Sequence, residues 1–184
     1  AFVNMSFINS TFTFRRNTVV LILKMKKAIF LDRDGVINLE KKDYVKSIKE
    51  FQIMDNVPKA IIELKKKGFL VIIITNQSAI NRVLLTIKIL NEIHNYLQEI
   101  LKDNNTSVDD FYFCPHIPDE HCKCLKPNPG MLLKAAQEHD IDMSQSFMIG
   151  DSLTDIQAAG KAGCEGILLN QNQTLLELII QKLK

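Results

Sequence analysis

The chain has 184 residues, 46% hydrophobic and 24% charged, with a formal net charge of +2. That is the composition and length of one globular domain, and it excludes whole-chain disorder, which needs low hydrophobicity and high net charge. A charge this close to neutral supplies no broad field for nucleic acid or a membrane surface, and no apolar run approaches the ~20 residues of a membrane helix.

Residues 1–24 come first. Arg15 and Arg16 precede an apolar run from Val19 to Leu23. The run is shorter than a signal-peptide core, and no small-residue cleavage site follows it. Met25 stands directly before Lys26-Lys27 and the first convincing strand. We therefore expect residues 1–24 to be a leader outside the fold and residues 25–184 to form one domain.

From Met25 onward, short apolar runs alternate with helical patterns. Ala28–Leu31 ends at Asp32 and Leu70–Ile74 at Thr75-Asn76; Phe111–Phe113 ends at Cys114, Phe147–Ile149 at Gly150-Asp151 and Ile167–Leu169 at Asn170. Short runs without polar alternation fit strands covered on both faces, as in a parallel sheet. Between them, Ala60, Ile61 and Leu64 repeat at helical spacing after Pro58 and stop at Gly68. Lys65, Lys66 and Lys67 read there as cations at a helix C-terminus. Ile87–Leu101 carries apolar residues at steps of three and four, and Gly130–Glu138, Leu153–Lys161 and Thr174–Leu183 complete the helices. The alternation predicts an α/β fold with a doubly wound, mainly parallel sheet. Ligands in such sheets bind beyond the carboxyl ends of the strands.

Chemistry-bearing residues stand at those ends. Asp32-Arg33-Asp34-Gly35 closes the first strand. Two carboxylates two residues apart leave an extended strand on the same side, where one attacks and the other handles a proton. Alone, the motif also fits a calcium-loop fragment or a polar turn. Thr75-Asn76-Gln77-Ser78 supplies hydroxyl and amide groups suited to phosphate oxygens. Lys126, between Leu125 and Pro127, offers a point charge for a phosphoryl group. Asp151 adds a third carboxylate. Asp155, four residues later, either joins the cluster or serves the dipole of its helix. Converging carboxylates beside a phosphate site argue for Mg²⁺.

A second cluster lies in Cys114-Pro115-His116 and Cys122-Lys123-Cys124. Cys114, His116, Cys122 and Cys124 can close one tetrahedral Zn²⁺ site with no position left for substrate, a structural zinc; His121 is spare. Cys164 stands forty residues beyond Cys124. This is a poor disulfide framework, so a reduced, cytoplasmic setting is expected.

Residues 25–170 resemble the haloacid-dehalogenase (HAD) superfamily of phosphatases, with Asp32-Arg33-Asp34-Gly35, Thr75, Lys126 and Gly150-Asp151…Asp155 matching its four motifs in order. The resemblance implies that Asp32 attacks phosphorus, that Asp34 protonates the leaving alcohol and later activates water, and that Thr75 and Lys126 steady the phosphoryl oxygens. It also implies Mg²⁺ held by Asp32, the backbone carbonyl of Asp34, and Asp151, with Asp155 in support. Asn76, Gln77, Ser78 and Arg82 would contact substrate. The cysteine–histidine loop, with Asp43-Tyr44-Val45 and Lys126-Pro127-Asn128-Pro129-Gly130-Met131, is similar to a cytoplasmic branch without a large cap domain. That branch acts on small phosphorylated metabolites such as heptose bisphosphate or histidinol phosphate. The chain departs from the branch pattern at Leu125, where Arg is usual, and at Ala79 and Val83, where Gly is usual. The expectation is a monomeric phosphomonoesterase with no nucleic-acid or membrane partner. The alternative of another class is a non-catalytic, zinc-stabilised interaction protein.

Overall fold

A computed structural model describes residues 25–183; the expected leader, residues 1–24, lies outside the described residues. Five parallel strands are laid down in chain order: β1 (Lys27–Leu31), β2 (Phe69–Asn76), β3 (Asp110–Cys114), β4 (Phe147–Gly150) and β5 (Glu165–Leu168). They form one sheet in the order β3-β2-β1-β4-β5. Five helices intervene or follow: α1 (Val57–Lys66), α2 (Ile87–Asp103), α3 (Gly130–His139), α4 (Leu153–Ala162) and α5 (Leu175–Lys182).

Side-chain alternation along the strands splits the core into two layers. Ile29 and Leu31 of β1, with Val71 and Ile73 of β2, face α1, α2 and α5. Ala28 and Phe30, with Ile72 and Ile74, face α3 and α4. Both faces are covered, which is why these strands read as unbroken apolar runs. Helix ends follow their sequence signals. The Thr86 hydroxyl accepts from the Ile89 N–H at 3.2 Å. Ser152 and Asp155 make a reciprocal capping box at α4, and Thr174 and Glu177 another at α5.

The strand order places the site. After β1 the chain winds outward through β2 and β3, then returns to the other side of β1 for β4 and β5. The crevice beyond β1 and β4 is therefore the switch point where α/β sheets take ligands. Leu31 is in register with Ile73 and Ile149, so Asp32 emerges between the ends of β2 and β4. The connections 38–51 and 78–86 stay short and carry no cap domain; the first contains a single turn of 3-10 helix at Ile48–Glu50. Single turns at Pro118–Glu120 and Met143–Gln145, which no sequence pattern announces, complete the elements. Among the described residues no helix is long and apolar enough to cross a membrane.

Candidate active site

β1 stops at Leu31, so Asp32 and Asp34 do not share a face of an extended strand, as their spacing suggested; they sit in the turn that follows. That turn is tight: the N–H groups of Ile37 and Asn38 both donate to the Arg33 carbonyl, at 2.8 and 3.0 Å. Gly35 makes it possible. Its φ is +83°, and a Cβ there would lie 1.9 Å from an Asp151 carboxylate oxygen. Both aspartates still reach one cleft of about 280 Å³, walled also by Arg33, Thr75, Asn76, Gln77, Lys126, Asp151, Ser152 and Thr154.

Lys126 is the electrostatic centre of the floor. Its ammonium lies 2.9 Å from Asp32 Oδ1 and 2.6 Å from Asp155 Oδ1, and donates to the Ile74 carbonyl at 3.1 Å. Burial works against its charge, but Asp32 and Asp155 outweigh it and hold the pKa above the ordinary lysine value. Asp155 is fully buried, and its other oxygen accepts from the Ser152 N–H and hydroxyl at 3.1 and 2.7 Å. Both readings of Asp155 hold at once: it caps α4 and it pairs with Lys126. Gly150 leaves room for it, since a Cβ there would meet the carboxylate at 2.2 Å.

Burial pushes the Asp32 carboxyl up to about 7; Lys126 pulls against this and Asp155 adds to it. Asp151 is also raised, by burial and by the charges of Asp155 and Glu40. Asp32, Asp151 and Asp155 bring carboxylate oxygens within 4.8 Å of one another. With Asp155 engaged by Lys126 and Ser152, Asp32 and Asp151 are the oxygens left to face a cation, and this hard-oxygen set fits Mg²⁺.

Asp34 is fixed from three directions. Arg33 Nη2 donates to both of its oxygens at 2.9 Å, Asn38 Nδ2 to Oδ1 at 2.9 Å, and Gln77 Nε2 to Oδ2 at 2.9 Å. Gln77 Nε2 also reaches Thr75 Oγ1 at 2.9 Å, tying the first two motifs together.

A model of the family described as haloacid dehalogenase-like hydrolase matches residues 20–163. The chain belongs to that family. The D-glycero-beta-D-manno-heptose-1,7-bisphosphate 7-phosphatase of Helicobacter pylori (strain ATCC 700392 / 26695) is 42% identical over 152 residues, covering 82% of this chain and 87% of the relative. The phosphatase of the same name from Photorhabdus laumondii is 45% identical over 139 residues, 72% of this chain and 73% of the relative. Among solved structures, the D,D-heptose 1,7-bisphosphate phosphatase of B. bronchiseptica, complexed with magnesium and phosphate, superposes with a TM-score of 0.80 at 34% identity. That match covers 85% of this chain and 98% of the other.

In this HAD-like hydrolase the residues expected to contact substrate divide. Gln77 is buried in the cleft wall, but Asn76 uses its amide on the chain: its Oδ1 accepts from the Lys126 N–H at 3.0 Å and its Nδ2 donates to the Lys126 carbonyl at 3.2 Å. Ser78 lies off the wall and donates to the Tyr44 hydroxyl at 3.3 Å. Arg82 is exposed and off the wall. Leu125 packs against the α3–α4 core layer with Cys122 and Cys124, not against the cleft. Sequence reasoning missed Arg33 and Asn38. Arg33, between two aspartates and 1% exposed, left a signal in its charge; Asn38, fully buried, left none.

The cysteine–histidine loop is assembled as four converging donors. Cys114 Sγ lies 3.4 Å from His116 Nδ1, 3.6 Å from Cys122 Sγ and 2.9 Å from Cys124 Sγ; His116 Nδ1 lies 3.3 Å from Cys124 Sγ. All four donor atoms lie within 4.8 Å of one another, and three thiols with one imidazole are a donor set that suits tetrahedral zinc. His121 stands outside it, in a left-handed conformation at the end of the Pro118–Glu120 turn. The Leu125 N–H donates to Cys122 Sγ at 3.2 Å, and Lys126 follows immediately.

Proposed function

We propose that this enzyme is a phosphomonoesterase that removes the 7-phosphate from a heptose 1,7-bisphosphate through an aspartyl-phosphate on Asp32, within the single domain of residues 25–184. The observation that carries the reading is the floor of the cleft, where Asp32 lies against the buried Lys126 ammonium and Asp34 is fixed two residues beyond. The names of the relatives supply the substrate.

The Asp32 carboxylate attacks phosphorus as the P–O bond to the sugar breaks, and Asp34 gives its proton to the departing alkoxide. Asp34, now ionised, takes a proton from water as that water attacks the aspartyl-phosphate, releasing phosphate and restoring Asp32. Lys126 and the Thr75 hydroxyl meet the equatorial oxygens that gather charge. Arg33, Asn38 and Gln77 hold the Asp34 carboxyl in one orientation, and Asp155 holds Lys126. Mg²⁺, bound by Asp32, Asp151 and the Asp34 carbonyl, would neutralise the transferring phosphoryl group and the carboxylates around it. Zinc at Cys114, His116, Cys122 and Cys124 would be structural, pinning the loop that delivers Lys126. The four free cysteines favour a reducing, cytoplasmic setting, in which we take the enzyme to act as a monomer.

The test is phosphate release with added Mg²⁺ from D-glycero-beta-D-manno-heptose 1,7-bisphosphate and from histidinol phosphate, by wild type and Asp32→Asn. The heptose bisphosphate should be the better substrate, and Asp32→Asn should be inactive yet folded. Turnover by a well-folded Asp32→Asn protein would sink the covalent mechanism. A preference for histidinol phosphate would move the assignment to the sibling activity.

A further inference from the structure

We propose that Lys41 and Lys42 form the subsite for the second phosphate of the substrate, and so make this enzyme select a bisphosphate over the matching monophosphate. The inference rests on the phosphatase reading and adds what that reading lacks, a recognition element for the phosphate that is not removed.

The cleft wall contains four cations: Arg33, Lys41, Lys42 and Lys126. Two are committed. Arg33 is buried, 1% exposed, with its Nη2 on both oxygens of Asp34, and Lys126 is engaged by Asp32, Asp155 and the Ile74 carbonyl. Lys41 and Lys42 are exposed at the rim, and among the described residues neither makes an ion pair. The cations elsewhere in the neighbouring loops, Arg82 and Lys123, do not line the cleft.

Their position is built by the loop that carries them. The Tyr44 N–H donates to the Lys41 carbonyl at 3.1 Å, closing a turn with Lys42 and Asp43 at its tip. Asp43, which adjoins Lys42, is taken by Lys46, whose ammonium also donates to the Asp43 carbonyl at 2.9 Å. Tyr44 has φ +69°, a conformation a tyrosine adopts only where its surroundings hold it, and its hydroxyl meets Ser78. Val45, 1% exposed, anchors the far side in the core. Glu40 is the one acid of this loop on the wall, and its charge falls on Asp151.

The charge arithmetic then favours an anion at the rim. The floor gathers Asp32, Asp34, Asp151 and Asp155 against Arg33 and Lys126, so a second dianionic group gains nothing by lying deep. At the rim two unpaired ammonium groups outnumber Glu40, and ammonium–phosphate hydrogen bonds are charge-assisted. A sugar that places one phosphate over Asp32 carries its other toward the mouth.

The experiment measures kcat and KM for wild type, Lys41→Met/Lys42→Met and Lys41→Arg/Lys42→Arg on three kinds of substrate. These are heptose 1,7-bisphosphate with heptose 7-phosphate, fructose 1,6-bisphosphate with fructose 6-phosphate, and p-nitrophenyl phosphate. The methionine variant should lose about 10–100-fold in kcat/KM on the bisphosphates, mainly through KM. It should stay within about twofold on the monophosphates and the aryl ester, which lack the second group. The arginine variant should retain the preference. Equal losses on all substrates, or no loss on the bisphosphates, would overturn the subsite while leaving the phosphatase reading intact, as would a wild type with no preference for either bisphosphate. If wild type ignores the heptose pair but prefers fructose bisphosphate, and the methionine variant loses that preference, the heptose assignment fails and the subsite stands.

Discussion

Asp155→Asn isolates the buried ion pair beneath the cleft. Asp155 is fully buried, with one oxygen 2.6 Å from the Lys126 ammonium and the other accepting from the Ser152 N–H and hydroxyl. An asparagine has one acceptor. If it faces Lys126, the new NH₂ group opposes the Ser152 N–H and the α4 cap is lost; if it faces Ser152, a donor points at a buried ammonium. Removing one partner of a buried pair costs ~3–5 kcal/mol, and losing a cap about 1 kcal/mol. Lys126 keeps Asp32 at 2.9 Å as a second counter-charge, which reduces the first figure. The expected loss is about 3 kcal/mol, or a fall in Tm of roughly 6–12 °C for a domain this size. Urea unfolding followed by circular dichroism measures it directly. Asp155→Ala should cost at least as much, since it opens a cavity beside Gly150 and leaves the Ser152 N–H without its acceptor. Should Asp155→Asn unfold within about 0.5 kcal/mol of wild type, Asp155 is not the counter-charge that holds Lys126.

Four further outcomes are expected. Val83 has φ +59° and is 90% exposed, so Val83→Gly should relieve left-handed strain while giving up almost no packing, and raise the unfolding free energy by about 0.5–1 kcal/mol after the entropy of the new glycine, as urea titration would show; a lower value would contradict the strain. His94 is 5% exposed and stacked on Phe111, and burial, reinforced by Arg33, lowers its pKa to about 3. The unfolded chain takes up this proton below about pH 6.5 while the folded chain does not, so stability should fall as pH drops from 6.5 toward 3, by about 2 kcal/mol at pH 5. His94→Gln should remove that part of the slope, and an unchanged slope between pH 7 and 5 would refute it. Protein purified without added metal should contain one equivalent of zinc, and chelation should lower both Tm and kcat because Lys126 follows Cys124 by two residues; elemental analysis finding no zinc in a fully stable protein would overturn the assignment. Asp34→Asn should lose about 10²–10⁴-fold on alkyl phosphates and less on aryl phosphates, whose leaving groups need no proton, and equal losses across a leaving-group series would count against a proton-transfer role.

Much of the fold was legible because the sheet is buried on both faces. Such strands are unbroken apolar runs, and all five were located within two residues of their observed ends, the largest differences being that β2 continues through Thr75 and Asn76 and that β5 begins at Glu165. The helices declared themselves through spacing, and α1 also through Pro58 in its first turn and Gly68 just past its end. The single 3-10 turns were not legible, since three residues carry no periodicity.

By itself the sequence determined which chemical groups the chain offers: Asp32, Thr75 and Asp151 follow apolar runs, Lys126 stands in the proline-stiffened approach to a helix, and Cys114, His116, Cys122 and Cys124 have ligand spacing. That information is local, carried by neighbours along the chain. Only the tertiary structure decided what each group does with its hydrogen bonds. Asn76 turned out to clamp the Lys126 backbone, Asp155 to serve both a helix cap and an ammonium, and Arg33 to bind its own neighbour while Asn38 closed in from the turn. Arg82 fell outside the cleft, and Lys41 and Lys42 were placed on its rim. These outcomes follow from the β3-β2-β1-β4-β5 order, which brings segments far apart in the chain to one crevice, where buried polar groups take partners that are close in space and not along the sequence.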